Sequence, residues 1–306
     1  SLAITDHGVM YGCIDFYRAA LENGIKPIIG CEVYVAPGSR FEKEAGDNED
    51  RYYHLILLAE NNEGYANLCK IVSKGFVEGF YYKPRVDYEV LEKYHEGIIC
   101  LSACLAGEVQ KYLARGEYEK GKEAALKYEK IFGKGNYFLE MQDHGIPEQA
   151  TVNQQLMRMS EELEIDLVCT NDVHYTFADD VEAHDILLCI QTGKKKADED
   201  RMRYEGGQFY LKSPEEMYQL FKYAPQAMEN TQKIADRCNV TFEFGVTKIP
   251  NFPVPEGYTS WTYLKELCET GLHNRYPVFK GEVDQNCHLT KEELEERLNY
   301  ELNTIK

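Results

Sequence analysis

Five short apolar runs along this chain each end at side chains that can bind a metal ion. In parallel α/β folds, functional groups gather at the carboxyl ends of the strands. The pattern therefore predicts a metal centre at the mouth of a βα barrel. The runs cover residues 2–5, 28–31, 98–103, 137–143 and 167–171, and the side chains that follow them are Asp6 and His7, Glu32, Cys104, His144, and Asp172 with His174.

Strand signals alternate with helix signals over the first two thirds of the chain, which predicts a parallel sheet or barrel of at least six strands. A doubly wound sheet would concentrate functional groups at one switch point. Here they come from strands spread along the chain, which favours a barrel. The predicted strands cover residues 2–5, 27–35, 54–59, 97–103, 136–142 and 166–171, and the predicted helices cover residues 9–23, 61–76, 107–115, 118–132, 147–163 and 179–190.

The pattern changes after about residue 200. Ser213 and Pro214 are typical of a helix start, and we predict helices over 214–222 and 225–237. We predict a loop over 38–51, a Pro-rich linker over 251–259, and charged helices over 260–275 and 290–306. The chain starts inside a strand and ends inside a helix, so we expect it to be cut at both ends.

The composition limits the class of protein. The net charge is -18, from 52 acidic and 34 basic residues. Nucleic-acid binders are usually basic, so this chain alone should bind DNA poorly. The ten cysteines show no repeated spacing and mostly lie in apolar runs, which is typical of reduced thiols in a cytoplasmic protein. No apolar stretch is long enough to cross a membrane.

Eight segments together resemble the family of bacterial DNA polymerase III alpha subunits, in the family's order and spacing. The resemblance implies that residues 1–250 form a PHP (polymerase and histidinol phosphatase) domain, a distorted, TIM-like, seven-stranded βα barrel whose first strand is missing here. It implies that residues 260–306 are the helical start of the polymerase palm domain. The segments are LAITDHGVMYG (2–12), IKPIIGCEVYVAP (25–37), HLILLAENNEGYANL (54–68), CLSACLAGE (100–108), YFLEMQDHG (137–145), TNDVHY (170–175), HDILLCIQTGK (184–194) and FYLKSPEEM (209–217).

The resemblance also implies a multinuclear metal site. The family's opening motif, a strand with two histidines, should precede Ser1. Some family members have lost several ligands, whereas this chain keeps all those that follow that motif. Imidazole, carboxylate and thiolate donors suit zinc, manganese or iron, with two or three ions in the intact domain. The implied metal ligands are His7, Glu32, His54, Cys104, Asp172 and His174, and the implied catalytic residues are Asp6 and His144.

The implied activity is metal-dependent phosphoester hydrolysis, with 3′→5′ exonuclease proofreading as the specific form. The parent would be a DNA-directed DNA polymerase whose polymerisation site lies downstream of this chain. Its expected partners are DNA, through the full-length polymerase, and other holoenzyme subunits, including a separate proofreading exonuclease subunit. We expect no membrane partner and a cytoplasmic location.

Two other functions fit the sequence. The domain could be a non-catalytic module that braces the polymerase or docks another subunit, or it could be a stand-alone phosphatase of histidinol-phosphatase type. The FYLKSPEEM segment and the helices over 260–306 argue against the stand-alone phosphatase, which needs neither. At single residues, Cys104 could be a buried thiol, His144 a structural histidine and Asp6 an orienter of His7. The decisive expectation is geometric: the six implied ligands should converge on one pocket.

Overall fold

The computed structural model describes residues 1–44, 50–283 and 287–306, which form two compact units, Ser1–Phe242 and Glu243–Lys306. The predicted loop over 38–51 lies partly outside the described residues. The predicted assignment of 1–250, 251–259 and 260–306 to a PHP domain, a linker and a palm start stays a prediction. No helix in the described part of the chain has both the length and the apolar character that crossing a membrane requires.

The first unit holds all eight described strands and most of the described helices. The strands are β1 Leu2–Ile4, β2 Pro27–Val35, β3 Tyr53–Ala59, β4 Phe80–Tyr81, β5 Lys83–Val86, β6 Ile98–Leu101, β7 Tyr137–Met141 and β8 Leu167–Cys169. The helices are α1 Cys13–Glu22, α2 Asn62–Val77, α3 Tyr88–Lys93, α4 Glu108–Ala114, α5 Tyr118–Phe132, α6 Pro147–Leu163, α7 Val181–Thr192, α8 Pro214–Leu220 and α9 Pro225–Arg237, with 3-10 turns at Ala178–Asp180 and Glu205–Gly207.

The second unit is helical in its described part. It contains α10 Ser260–Arg275, a 3-10 turn Pro277–Lys280 and α11 Lys291–Ile305. Thr259 and Thr290 cap the two helices by accepting hydrogen bonds from the backbone N–H groups of Thr262 and Glu293. The Thr290 N–H in turn donates to Oε2 of Glu293 at 2.8 Å, which completes a capping box at the start of α11.

The sheet is mixed and curls into a half-barrel, which confirms the predicted α/β class of distorted PHP-type barrel. Its order is β4-β5-β2-β3-β6-β7-β8, and β1 pairs with β2. The prediction of a parallel sheet is wrong at β3, which runs antiparallel to both β2 and β6. A parallel connection needs a crossover, usually a helix. The described residues between β2 and β3 contain no helix, so the chain returns in the opposite direction.

The central strands are buried on both faces, as strands of a covered sheet are. One face packs in the large core through residues such as Ile29, Leu57 and Leu139. The alternate residues form a second cluster, which also includes Ile234 of α9. Side chains alternate between the two faces of a strand. A residue that is two or four positions from a member of the second cluster, on the same strand, therefore lies on the same face of the sheet as that cluster. The strand members of that cluster are Ile28, Ile56, Leu58, Ile99, Leu101, Phe138 and Val168.

Candidate metal centre

The TDHG segment brings His7 against the carboxyl end of β2. His7 forms an isolated parallel bridge with Glu32, and the Gly8 N–H donates to the Glu32 carbonyl at 2.8 Å. Gly8 has a φ of +70°, and a Cβ there would lie 2.7 Å from the Tyr34 ring. Glycine is therefore required at this turn both for its conformation and for its close contact.

Glu32 is the centre of the cluster. It lies on the same face of β2 as Ile28 and is 3% exposed. Its Oε1 is 2.5 Å from Nδ1 of His7 and 2.9 Å from Nδ1 of His54. Burial alone would raise the pKa of Glu32, but the hydrogen bonds from His54 and His7 outweigh it and lower that pKa to about 2. Glu32 is therefore a carboxylate at neutral pH.

His54 reaches the same edge because β3 is antiparallel. The start of an antiparallel strand lies beside the end of its neighbour, and His54 pairs with Tyr34 at the end of β2. The His54 N–H also donates to the Ala106 carbonyl at 3.0 Å, which fixes the loop that carries Cys104. Sγ of Cys104 lies 3.7 Å from Nδ1 of His54.

Glu32, His54 and Cys104 together form a group that could hold a metal ion. One ligand atom from each lies within 4.8 Å of the others. Desolvation, followed by the charges of Asp172 and Glu32, raises the pKa of Cys104 well above its usual range. A bound divalent cation reverses this balance, because a coordinating thiol loses its proton.

Asp172 and His174 follow β8 and face the same mouth. His174 lies with its ring centroid 5.6 Å from that of His7. Nδ1 of His174 is 2.7 Å from the Asp172 carbonyl oxygen, which can only accept, so Nδ1 carries the proton. Nε2 is buried without a hydrogen-bond partner, so in the neutral ring it is the nitrogen that is free to bind a metal. Metal-binding histidines commonly donate their other ring N–H to a backbone carbonyl in this way.

The donor set fits a divalent metal centre. A carboxylate, a thiol and imidazoles meet in one half-buried cluster, and the orphaned Nε2 of His174 supplies another donor atom. Burial and then the charge of Glu32 are among the causes that raise the pKa of Asp172. The carboxyl groups of Glu32 and Asp172 thus influence each other at this edge, and a cation bound there would favour the charged form of both. The six predicted ligands are therefore gathered at one mouth, and their role as ligands stays a prediction.

Asp6 contacts the cluster through its backbone. Its backbone carbonyl accepts from the Glu32 N–H at 3.0 Å and from Sγ of Cys31 at 3.4 Å. A Cβ placed on Gly12 would lie 3.1 Å from Oδ2 of Asp6. The carboxyl group therefore lies beside the start of α1, and its contact with the site runs through the backbone. The catalytic role of Asp6 stays a prediction.

His144 is 1% exposed, and both of its ring nitrogens are occupied. Nε2–H donates to the Asn171 carbonyl at 2.8 Å, and Nδ1 accepts from Nε2 of Gln149 at 2.8 Å. The ring stacks on Phe209 with the centroids 3.9 Å apart. Burial lowers the pKa of His144. These contacts favour the structural interpretation of His144 over the predicted catalytic one.

Several residues at the mouth escaped sequence reasoning. Tyr34 and Tyr52 flank His54, with ring centroids 5.3 and 6.0 Å away, and Tyr204 lies 4.5 Å from His174. Glu140 is a fully buried carboxyl group on β7. The sequence does mark Glu140 as unusual, because an ionisable residue inside the apolar run over 137–141 needs a partner if it is buried. The tyrosines carried no signal that separates them from ordinary core aromatics.

Comparison with known proteins gives one consistent result. Residues 1–144 match the PHP domain family. DNA polymerase III subunit alpha of Treponema pallidum is 45% identical over 306 residues, which is 100% of this chain and 25% of that protein. The subunit of the same name from Borreliella burgdorferi is 44% identical over 92% of this chain and 25% of its own length, and that of Thermus aquaticus is 41% identical over 90% and 23%. The chain thus spans about a quarter of the length of the curated relatives that it matches.

Proposed function

We propose that this chain is the metal-dependent phosphoesterase module of a bacterial replicative DNA polymerase. Two comparisons support this: residues 1–144 match the PHP domain family, and the whole chain is similar to DNA polymerase III alpha subunits. The observation that carries the proposal is the meeting of His7, Glu32, His54 and Cys104 with the His174 ring at one mouth of the half-barrel. Two strands and three loops supply these side chains, which a purely structural core would not require.

The residues that would hold metal ions are His7, Glu32, His54, Cys104, Asp172 and His174. Bound divalent ions would supply Lewis acidity and a water of lowered pKa for attack on a phosphoester. Glu32 holds His7 and His54 by hydrogen bonds to their Nδ1 atoms, so both rings are oriented before substrate arrives. The His7 side chain is 49% exposed, so this edge of the cluster is open to a substrate from solvent.

The whole chain's match to polymerase subunits points to DNA as the substrate class. Misincorporated 3′ nucleotides are the phosphodiesters that a polymerase encounters, so 3′→5′ exonuclease proofreading is the specific activity that we propose. With a net charge of -18 the chain gains little from phosphate contacts, and the rest of the polymerase would deliver the DNA. Polymerisation itself, the other holoenzyme subunits as partners and a cytoplasmic location belong to the same proposal.

The test is hydrolysis of a radiolabelled oligonucleotide duplex with a mismatched 3′ end, with Mn²⁺ or Zn²⁺ added to the purified chain. We expect release of the terminal nucleotide, and a loss of at least about 100-fold in kcat in Glu32→Gln, because that change removes the central carboxylate. Glu161→Gln, at an exposed position on α6, is the matched control and should keep full activity.

Two outcomes would contradict the proposal. Equal activity in Glu32→Gln and in the unchanged chain would mean that a contaminating nuclease is responsible. Stoichiometric metal binding with no hydrolysis of this duplex or of a simple aryl phosphodiester would support the non-catalytic alternative instead.

A further inference from the structure

Glu140 is a buried carboxyl group beside the candidate metal centre, and it is not one of the predicted ligands. It is 4% exposed and lies on the same face of β7 as Phe138. A carboxyl group in such a position is retained only where hydrogen bonds satisfy its oxygens. The groups that donate hydrogen bonds to Glu140 therefore indicate its structural role.

Donors to Glu140 come from two of the loops that carry predicted ligands. Oε2 accepts from the Ala103 N–H at 2.9 Å, and Ala103 directly precedes Cys104. Oε1 accepts from the Thr170 hydroxyl, and Thr170 lies two residues before Asp172. Oε1 also accepts from Nε2 of Gln142 at 3.1 Å. One carboxyl group thus joins the loop after β6 to the loop after β8.

Both loops contain a non-glycine residue in the left-handed region. Ala103 has a φ of +66° and Asp172 a φ of +45°. Side chains rarely adopt this conformation, and it persists where surrounding contacts over-determine it, often at functional sites. The hydrogen bonds that Glu140 accepts are contacts of that kind, because one comes from the backbone of Ala103 itself and the other from the Thr170 side chain, two residues before Asp172.

A second layer holds Glu140 itself in place. The Glu140 N–H donates to Oγ of Ser102 at 2.8 Å, and Nε2 of Gln110 donates to the same oxygen at 2.6 Å. Nε2 of Gln110 is also 3.0 Å from the Ala103 carbonyl oxygen and 3.2 Å from that of Glu140. The carboxyl group is thus a fixed point for the two loops.

We propose that Glu140 is a positioning residue that sets the placement of Cys104 relative to Asp172 and so determines how tightly the centre binds metal. The inference deepens the proposed function, since it concerns the same site, but it does not depend on hydrolysis. Glu140 touches neither metal nor substrate in this account and acts only through the two loops.

The experiment measures Co²⁺ binding to the full chain in two ways. Absorption spectroscopy records the thiolate-to-cobalt charge-transfer band, and calorimetry gives the Kd. Glu140→Gln replaces one oxygen by an amide donor, which opposes the donors of Thr170 and Gln142. We expect a Kd for Co²⁺ that is about 10- to 100-fold weaker, and a smaller charge-transfer band per bound ion, because Cys104 is displaced.

Asp87→Asn is the matched control. Asp87 is also buried and hydrogen-bonded, but to Arg40 and to the start of α3. It should lower stability while leaving the cobalt Kd and band unchanged. If Glu140→Gln does not fold, Thr170→Val removes a single donor and should still weaken cobalt binding several-fold.

An unchanged Kd and band in a folded Glu140→Gln variant would overturn the inference and leave the proposed function standing. Glu140-dependent cobalt binding without any hydrolysis would support the inference and contradict the proposed function. No cobalt binding by the unchanged chain would overturn both.

Discussion

At the scale of single residues, the site combines groups that the sequence displays with groups that it hides. His7, Glu32, Cys104, Asp172 and His174 were visible because each follows an apolar run. The hydrogen-bond partners of Glu140 were hidden, because the Ala103 N–H and the Thr170 hydroxyl are far from it in sequence. Long-range hydrogen bonds of this kind have no periodic signature, so sequence patterns cannot reveal them.

The burial of Glu140 predicts a pH dependence of stability. Burial is the largest influence on this group and raises its pKa from the ordinary value of 4.5 to about 7. The folded state therefore binds this proton more tightly than the unfolded chain does. The contribution to stability is complete below about pH 4.5 and is lost as the pH rises through about 7, for a total of about 3 kcal/mol at 1.36 kcal/mol per pKa unit.

The measurement is urea unfolding of the metal-free chain and of Glu140→Gln at pH 5 and at pH 8. Because other groups titrate equally in both proteins, the difference in their free energies of unfolding isolates Glu140. We expect the difference to shift in favour of Glu140→Gln at pH 8. A difference that is the same at both pH values would show that Glu140 keeps an ordinary pKa.

At the scale of elements, strand direction decides which residues reach the site. Residue 54 begins its strand, so a parallel sheet would have placed His54 at the opposite edge from Glu32. The reversal of β3 brings them within 2.9 Å. Hydrophobic periodicity finds strands but does not give their direction, and for this reason only the family resemblance, not the pattern, selected His54.

The ends of several helices can be predicted from the sequence alone. The predictions for 118–132, 147–163 and 225–237 coincide with α5, α6 and α9. Helix caps and apolar spacing are local, so they can be read without the fold. The two short strands and the helix between residues 80 and 93 were missed, because pairing rather than pattern stabilises segments of that length.

Two helical glycines give a prediction about packing between elements. A Cβ on Gly64 of α2 would lie 1.8 Å from the Gly97 carbonyl oxygen, whereas one on Gly271 of α10 meets nothing within 4 Å. Gly64→Ala should therefore lower the free energy of unfolding of the first unit by at least about 2 kcal/mol. Gly271→Ala should instead stabilise the second unit by about 0.4–1 kcal/mol.

Thermal and urea unfolding monitored by circular dichroism would compare both glycine variants with the unchanged chain. A neutral Gly64→Ala would mean that α2 can move away from the loop before β6 at little cost. The contact between these elements would then not be rigid.

At the scale of the whole molecule, the net charge and the candidate metal centre differ in the ligands that they favour. The net charge of -18 opposes binding of free DNA, yet the mouth of the half-barrel gathers donors for cations. These properties agree if the chain works within a larger polymerase that supplies the DNA contacts. The similarity to about a quarter of each relative fits that arrangement.

The central claim is that the gathered side chains bind metal, and elemental mass spectrometry tests it most directly. The chain would be incubated with Zn²⁺ or Mn²⁺, freed of excess metal by gel filtration and measured beside His174→Ala and, as a matched control, His273→Ala at an exposed position in the second unit. We predict about one or more ions per chain, kept in His273→Ala and largely lost in His174→Ala. No retained metal, or equal metal in both variants, would contradict the account.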